Sequence, residues 1–292
     1  MRKIKVGIIG TGNIGIDLLI KINRSSVLEC GVFAGHNRES AGIEMAKKMG
    51  VNTSFESIQA IIDQPDCCDI VFDATSAKVH LCNAPILKKL GKYAIDLTPS
   101  KYGKMCVPFV NLEECLDESN VNLITCGGQA TIPIIYAIKT VHPDIRYVEV
   151  VASISSKSAG PGTRANIDEF TQTTSEAICE LTHTERSKAI ITLNPAEPPV
   201  LMQNTIYALM ENPDIDRITD EVEKAVNAIQ KYVPGYRMIQ KPVFENGRVT
   251  TIVRVTGMGD YLPKYAGNLD IITCAAVNLA EQYACRRLMW GE

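Results

Sequence analysis

Lys3-Ile-Lys-Val-Gly-Ile-Ile9 is a short apolar run of the kind a strand buried on both faces requires. Beyond the glycines at 10, 12 and 15, Ile16, Leu18, Leu19, Ile20 and Ile22 recur at helical spacing. The alternation repeats. Strands are predicted over 28–34, near 51–53, over 69–73, 92–95 and 121–125, with helices over 40–49, 57–63 and 79–90 between them. This pattern predicts a doubly wound parallel sheet. A helix-like segment, Ala130 to Ile138, follows, with Pro133 near its first turn.

After that helix the pattern changes. Tyr147 to Ser155 is the longest strand-like run, 189–193 is another strand, and 236–244 and 248–255 are two more, joined by the turn Glu245-Asn-Gly-Arg248. Amphipathic helices are predicted over 167–181 and 219–233, and an Ala-rich helix over 269–288 that returns to the first domain. The fold class is therefore α/β: a Rossmann-type doubly wound parallel sheet formed by 1–125 and completed by 268–292, plus an α+β domain over 126–267. The outer face of the second sheet is a natural dimer surface.

Composition narrows the picture. With 292 residues, 46% of them hydrophobic, the chain has material for one large or two modest cores. A net charge of −3 gives no electrostatic case for nucleic acid or an anionic membrane. No window reaches the roughly 18 continuous apolar residues of a membrane span, and the N-terminus reads as a strand, not a signal peptide. The ten cysteines form no C-x-x-C pair and do not cluster with the four histidines, so no metal site is expected. Free thiols in a reducing cytoplasm are expected instead.

Three stretches carry candidate chemistry. Strand, Gly10-Thr11-Gly12-Asn13-Ile14-Gly15 and helix form a G-x-G-x-x-G unit: the first glycine permits the turn, the second lets a pyrophosphate reach the backbone, and the third allows close packing. After the second strand, where an acidic residue usually holds the ribose of NAD, the chain reads Asn37-Arg38-Glu39-Ser40. Arg38 with Ser40 is suited to a 2′-phosphate, which leaves NADP open beside NAD. Cys126 sits at a strand-to-helix elbow, where helix-start N–H groups favour a thiolate and an adjacent oxyanion, and Gly127-Gly128 lets a ligand come close. The third stretch, Ser156 to Asn166, is a polar glycine-rich loop in which Lys157 and Arg164 suit an anion.

Taken together, Gly10 to Gly15, Phe72-Asp-Ala-Thr-Ser76, Thr125-Cys-Gly-Gly-Gln-Ala-Thr-Ile-Pro133, Ser155 to Phe170, Asn194-Pro-Ala-Glu-Pro-Pro199 and Gly259 to Asp270 resemble the acetylating acetaldehyde dehydrogenases of aromatic meta-cleavage pathways. The resemblance spans nearly the whole chain. It implies oxidation of a short-chain aldehyde with CoA and NAD to acyl-CoA and NADH, a substrate and dimerisation domain, and a 4-hydroxy-2-oxoacid aldolase partner, two copies of each chain making a heterotetramer. It also implies that Cys126 is the acyl-thioester nucleophile, and that Thr11 to Ile14, the loop Ser158, Ala159, Gly160, Pro161, Gly162, Thr163, Arg164, Ala165 and Asn166, and Asn268 contact the cofactor. Two departures stand out. Gln203-Asn204-Thr205 replaces the usual Arg-Asp-Thr, and Asn37 replaces the usual Asp.

The expected mechanism is attack by a Cys126 thiolate ionised by its local field, with helix-start N–H groups and Gln129 or Asn166 holding the oxyanion. No histidine base is expected. Two alternatives remain: a semialdehyde or phosphorylating dehydrogenase of the same fold, and a non-catalytic dinucleotide-binding subunit.

Overall fold

The computed structural model describes residues 3–160, 163, 164 and 167–290. The chain forms two compact units: residues 1–108, 112–123 and 273–292, and residues 109–111 with 124–272.

In the first unit the strands are β1 (Ile4–Ile9), β2 (Leu28–Ala34), β3 (Thr53–Ser54), β4 (Ile70–Asp73), β5 (Tyr93–Asp96), β6 (Lys104–Met105) and β7 (Asn120–Asn122). Among the described residues they pair in the order β3-β2-β1-β4-β5-β7-β6, every pair parallel. Strand order reverses between β1 and β4, the switch point of a doubly wound sheet. Helices α1 (Asn13–Arg24), α2 (Ala41–Lys48), α3 (Gln59–Asp63) and α4 (Ala77–Lys89) link the strands, with α5 (Pro108–Cys115) between β6 and β7. Val6, Ile8, Ile9, Phe33, Ile70, Val71, Phe72 and Ile95 are fully buried, as a sheet covered on both faces requires. The last helix, α9 (Gly267–Trp290), joins this unit from Thr273 onward. There Thr273 donates to Asp17 at 2.5 Å, Glu281 accepts from Ser25 at 2.6 Å, and Tyr283 stacks on Tyr93 at 4.0 Å.

The second unit holds a mixed sheet in the order β11-β12-β10-β8-β9, built from β8 (Tyr147–Ser155), β9 (Arg186–Asn194), β10 (Met202–Leu209), β11 (Tyr236–Glu245) and β12 (Arg248–Val255). Among the described residues only β8 and β9 run parallel in this sheet. Along β8, β10 and β12 alternate residues are buried, so one face is packed and the other is not. The packed face lies under α6 (Cys126–Val141), α7 (Ile167–Thr182) and α8 (Ile215–Gln230). Tyr236 donates to the Ala130 carbonyl at 2.6 Å and ties β11 to α6. The β11–β12 turn forms as expected, with Asn246 (φ 52°) and Gly247 (φ 75°) both left-handed.

Several expectations shift. Strand β10 takes up 202–209, which the sequence pattern left unassigned, and β6 and α5 fill 104–115. Helix α8 starts at Ile215, capped by Asp214, whose carboxylate accepts from Arg217 N–H at 3.1 Å. No described helix is long and apolar enough to cross a membrane.

Candidate functional site

The glycine turn of the first unit is built as the sequence predicts. Gly10 sits at φ +112°, and a Cβ there would lie 2.5 Å from the Ala74 carbonyl oxygen; a Cβ on Gly15 would lie 1.9 Å from the Gly10 carbonyl oxygen. Around Gly12 there is open space, and α1 begins there without a side-chain cap, so its first N–H groups and positive dipole end suit a diphosphate. The residues therefore fit a dinucleotide. Where a 2′-phosphate was the alternative, the two candidate groups are engaged. Ser40 caps α2 through Gly42 N–H (3.2 Å) and donates to the Thr11 carbonyl (3.0 Å), while the Arg38 guanidinium stands 5.2 Å over the Phe55 ring.

In the second unit, Cys126 is the first residue of α6. Thr125 is its N-cap: the hydroxyl oxygen accepts from Gly128 N–H at 3.0 Å and shares a 2.7 Å bond with the Thr174 hydroxyl. Ile124, a β-branched residue, is held at φ +65°, a strained conformation at the entrance to the elbow. The helix thus starts four residues earlier than Ala130, and Pro133 lies in its interior. The glycine pair has a packing role as well. A Cβ on Gly127 would press on the Phe170 ring at 3.3 Å, and one on Gly128 on the Thr125 hydroxyl at 3.2 Å. Both glycines therefore also serve the packing of α6.

Cys126 is 9% exposed. Burial pushes its thiol up to about 12, against the opposite pull of backbone hydrogen bonds from Gly127 and from Cys126 itself. Desolvation is thus the larger influence on this sulfur and works against the thiolate that the helix start favours. Gln129, one turn on at i+3, shares its side of the helix and is 1% exposed, its backbone N–H bonding to the Thr125 carbonyl at 2.9 Å. His142 and His183 follow the C-terminal ends of α6 and α7, away from this elbow.

The glycine-rich loop is only partly described: Pro161, Gly162, Ala165 and Asn166 lie outside the described residues. In the rest, the cations expected to meet an anion are engaged locally. Lys157 pairs with Glu197 at 2.5 Å, and Arg164 donates to the carbonyls of Ala159 (3.1 Å) and Ser156 (2.6 Å). Arg164 therefore shapes the loop. Ser158 donates to the Ser155 carbonyl (2.9 Å), and its own carbonyl accepts from Asn268 (3.2 Å), which joins two of the expected cofactor contacts. Ala159 is buried and Thr163 half-buried, while a Cβ on Gly160 would meet nothing within 4 Å, leaving its backbone approachable.

Two stretches named in the sequence take on detail that the sequence did not show. Asn204, on the packed face of β10, is wholly buried with neither amide atom hydrogen-bonded. The tips of β4 and β5, both reading Asp-x-Thr, hold a buried carboxylate pair with His80 between them. The repeated tripeptide was the available signal.

A doubly wound sheet with an open glycine turn, joined to a mixed sheet whose helix layer presents a cysteine at a capped helix start, defines the class as a two-domain dinucleotide-binding dehydrogenase. Residues 5–115 match the NAD binding domain of semialdehyde dehydrogenases, and residues 126–263 match the dimerisation domain of prokaryotic acetaldehyde dehydrogenases. The chain is 53% identical to an acetaldehyde dehydrogenase of Geobacillus stearothermophilus over 290 residues, 99% of this chain and 98% of the relative. It is 54% identical to that of Carboxydothermus hydrogenoformans (98% and 95% covered) and 51% identical to that of Pectobacterium atrosepticum (98% and 97%). The chain belongs to the acetaldehyde dehydrogenase family.

Proposed function

We propose that this protein is an acylating aldehyde dehydrogenase that converts a short-chain aldehyde, CoA and NAD to acyl-CoA and NADH through a thioester on Cys126. The observation that carries the reading is the placement of Cys126 Sγ at the first turn of α6, within reach of the N–H groups of Gly127 and Cys126. Those groups stabilise negative charge on sulfur as the thiol attacks the carbonyl carbon, its proton passing to the carbonyl oxygen, where Gln129 and Asn166 support the developing charge. The product is a thiohemiacetal. NAD, when bound, takes the hydride from that carbon, leaving a thioester. The CoA thiolate then attacks the thioester and Cys126 is released as the leaving group. Burial at the elbow keeps water from competing with CoA.

Gly10, Thr11, Gly12, Asn13, Ile14 and Gly15 would hold the diphosphate, with Ser158 to Asn166 and Asn268 as further contacts and Arg38 near the adenosine ribose. NAD is favoured over NADP because Ser40 is committed to capping α2. The dimerisation match supports a homodimer, and the family resemblance supports a 4-hydroxy-2-oxoacid aldolase partner in an aromatic meta-cleavage pathway, the two making a heterotetramer.

Replacing Cys126 by Ala is expected to lower CoA-dependent NADH formation roughly a thousandfold or more. Appreciable turnover in that variant would overturn the reading. The match of 5–115 to semialdehyde dehydrogenases keeps phosphate as a second candidate acyl acceptor. Rates with CoA and with phosphate, each against acetaldehyde, propanal and butanal and with both NAD and NADP, separate the two.

A further inference from the structure

The C-terminal ends of β4 and β5 carry a group that the reaction above does not use. Asp73 ends β4, Asp96 ends β5, and His80, in the first turn of α4, lies between them; all three are fully buried. His80 Nδ1 is 3.0 Å from Asp73 Oδ2, and Nε2 is 3.5 Å from Asp96 Oδ2. Each carboxylate also folds the chain that follows it. Asp73 accepts from the Thr75 N–H (3.1 Å), the Thr75 hydroxyl (2.5 Å) and Asn83 (2.9 Å). Asp96 accepts from the Thr98 N–H (2.7 Å), Ser100 (2.5 Å) and, across from β7, Asn122 (2.6 Å).

The groups facing the imidazole are Asp73 from β4, Asp96 from β5, the amides of Asn83 on α4 and Asn120 on β7, and the edge of the Tyr102 ring at 6.2 Å. Among the described residues two buried carboxylates face it: Nδ1 is within hydrogen-bond distance of Asp73, while Nε2 makes no hydrogen bond and meets Asp96 only as a charge contact at 3.5 Å, so the arrangement favours an imidazolium. Burial works against that charge, but the bond to Asp73 and the fields of Asp96 and Asp73 outweigh it and raise His80 above the ordinary histidine value. Burial likewise opposes charge on Asp73, yet the bonds from His80, Thr75 and Asn83 hold it below the usual carboxylate value.

Location gives the cluster its use. In a doubly wound sheet the dinucleotide lies across the carboxyl ends of the strands at the switch point, one mononucleotide half on each side. Here the switch lies between β1 and β4, and Gly10 to Gly15 follows β1. The adenosine half belongs on the β2 side and the nicotinamide half on the β4 and β5 side. At the β5 tip, Thr98 is 3% exposed and its hydroxyl oxygen has no hydrogen-bond partner, a buried polar atom awaiting one.

We propose that His80 is a positioning residue for the dinucleotide, bridging Asp73 and Asp96 so that the turns Asp73–Thr75 and Asp96–Thr98 form the seat of the nicotinamide half. This rests on the first unit binding NAD as read above. The bridge exists while the imidazole is protonated, so it is present below the raised His80 value and is lost as pH climbs through it.

The test is binding, not turnover. Dissociation constants of NADH and of ADP-ribose, which carries only the adenosine half and the diphosphate, are measured for the wild type and for His80→Gln between pH 6 and 10. His80→Gln is expected to weaken NADH on the order of tenfold, the loss of a charge-assisted bridge, and to leave ADP-ribose unchanged. The wild type is expected to lose NADH affinity as pH rises, and the variant to show a flat profile. Equal losses for both ligands, or no loss for NADH, would overturn the proposal while leaving the dinucleotide reading intact. A wild type that binds neither ligand would overturn both. Should His80→Gln fail to fold, Asp96→Asn keeps the hydrogen-bonding shape, removes the second charge, and must show the same selective loss.

Discussion

Cys126 has two opposing influences on its sulfur, and burial is the larger. With the folded-state value raised to about 12, the thiolate fraction grows about tenfold per pH unit across the neutral range. Alkylation of Cys126 by iodoacetamide, followed by mass spectrometry of its peptide, is therefore expected to accelerate tenfold per unit from pH 7 to about pH 10. A plateau near pH 7 would show that the thiol is ionised at rest. The sign for stability is the opposite: the unfolded thiol ionises near its ordinary value while the folded one does not, so this site loses stability as pH rises from about 9 toward 12. Asn204 is a second residue whose environment decides the outcome. A carboxylate there would be buried among apolar neighbours without a partner, so Asn204→Asp is expected to cost roughly 3 kcal/mol at pH 8 and much less at pH 5, where the acid form dominates. Urea unfolding at the two pH values reads the difference, and equal stability to wild type at pH 8 would show that the site accommodates the charge. The identity of Cys126 as the candidate was legible in the sequence. The desolvation that raises its thiol was not, because it depends on the packing of Phe170, Thr125 and Ile124 around the elbow, which no local pattern encodes.

Each element that was misread has one physical cause. Strand β10 buries Met202, Asn204, Ile206 and Ala208, and a polar residue on the packed face breaks the alternation by which a strand is recognised. Helix α6 was expected to begin after the glycine pair because glycine ordinarily marks a loop. Here Thr125 caps the helix, and Gly127 and Gly128 are the residues small enough to pack against Phe170 and the cap. By contrast β1, the glycine turn, β8 and the β11–β12 hairpin were legible throughout, since buried strands and left-handed turn positions each impose a local residue choice. The cap gives an element-scale prediction. Thr125→Ala removes the acceptor for Gly128 N–H and leaves the Thr174 hydroxyl without this partner, a loss of about 1–2 kcal/mol by urea unfolding. Because the cap fixes the first turn, kcat is expected to fall with it. Thr125→Ser keeps the hydroxyl and restores most of both quantities; a serine variant no better than alanine would show that the methyl group's packing, not the cap, sets the elbow.

At the scale of the molecule, the five-stranded sheet packs α6, α7 and α8 on one face, while among the described residues the side chains of the other face are half-buried or exposed. Across the outer face Ile252, Thr205, Val151 and Ile190 form one row by register, all half-buried, and Leu209 on β10 with Ile239 and Val243 on β11 are exposed. The apolar side chains of this face, Ile252, Val151, Ile190, Leu209, Ile239 and Val243, carry an unfavourable contact with water on a monomer that a second copy of the same face removes. A two-fold pairing is self-complementary, so one substitution acts twice. Ile252→Glu, at the β12 end of the row, would bring two carboxylates into such an interface, where like charges are costly. The wild type is expected to sediment as a dimer at micromolar concentration and Ile252→Glu as a monomer with unchanged far-ultraviolet circular dichroism, since the side chain lies outside the packed helix layer. A variant that remains dimeric would place the interface on another face of the chain.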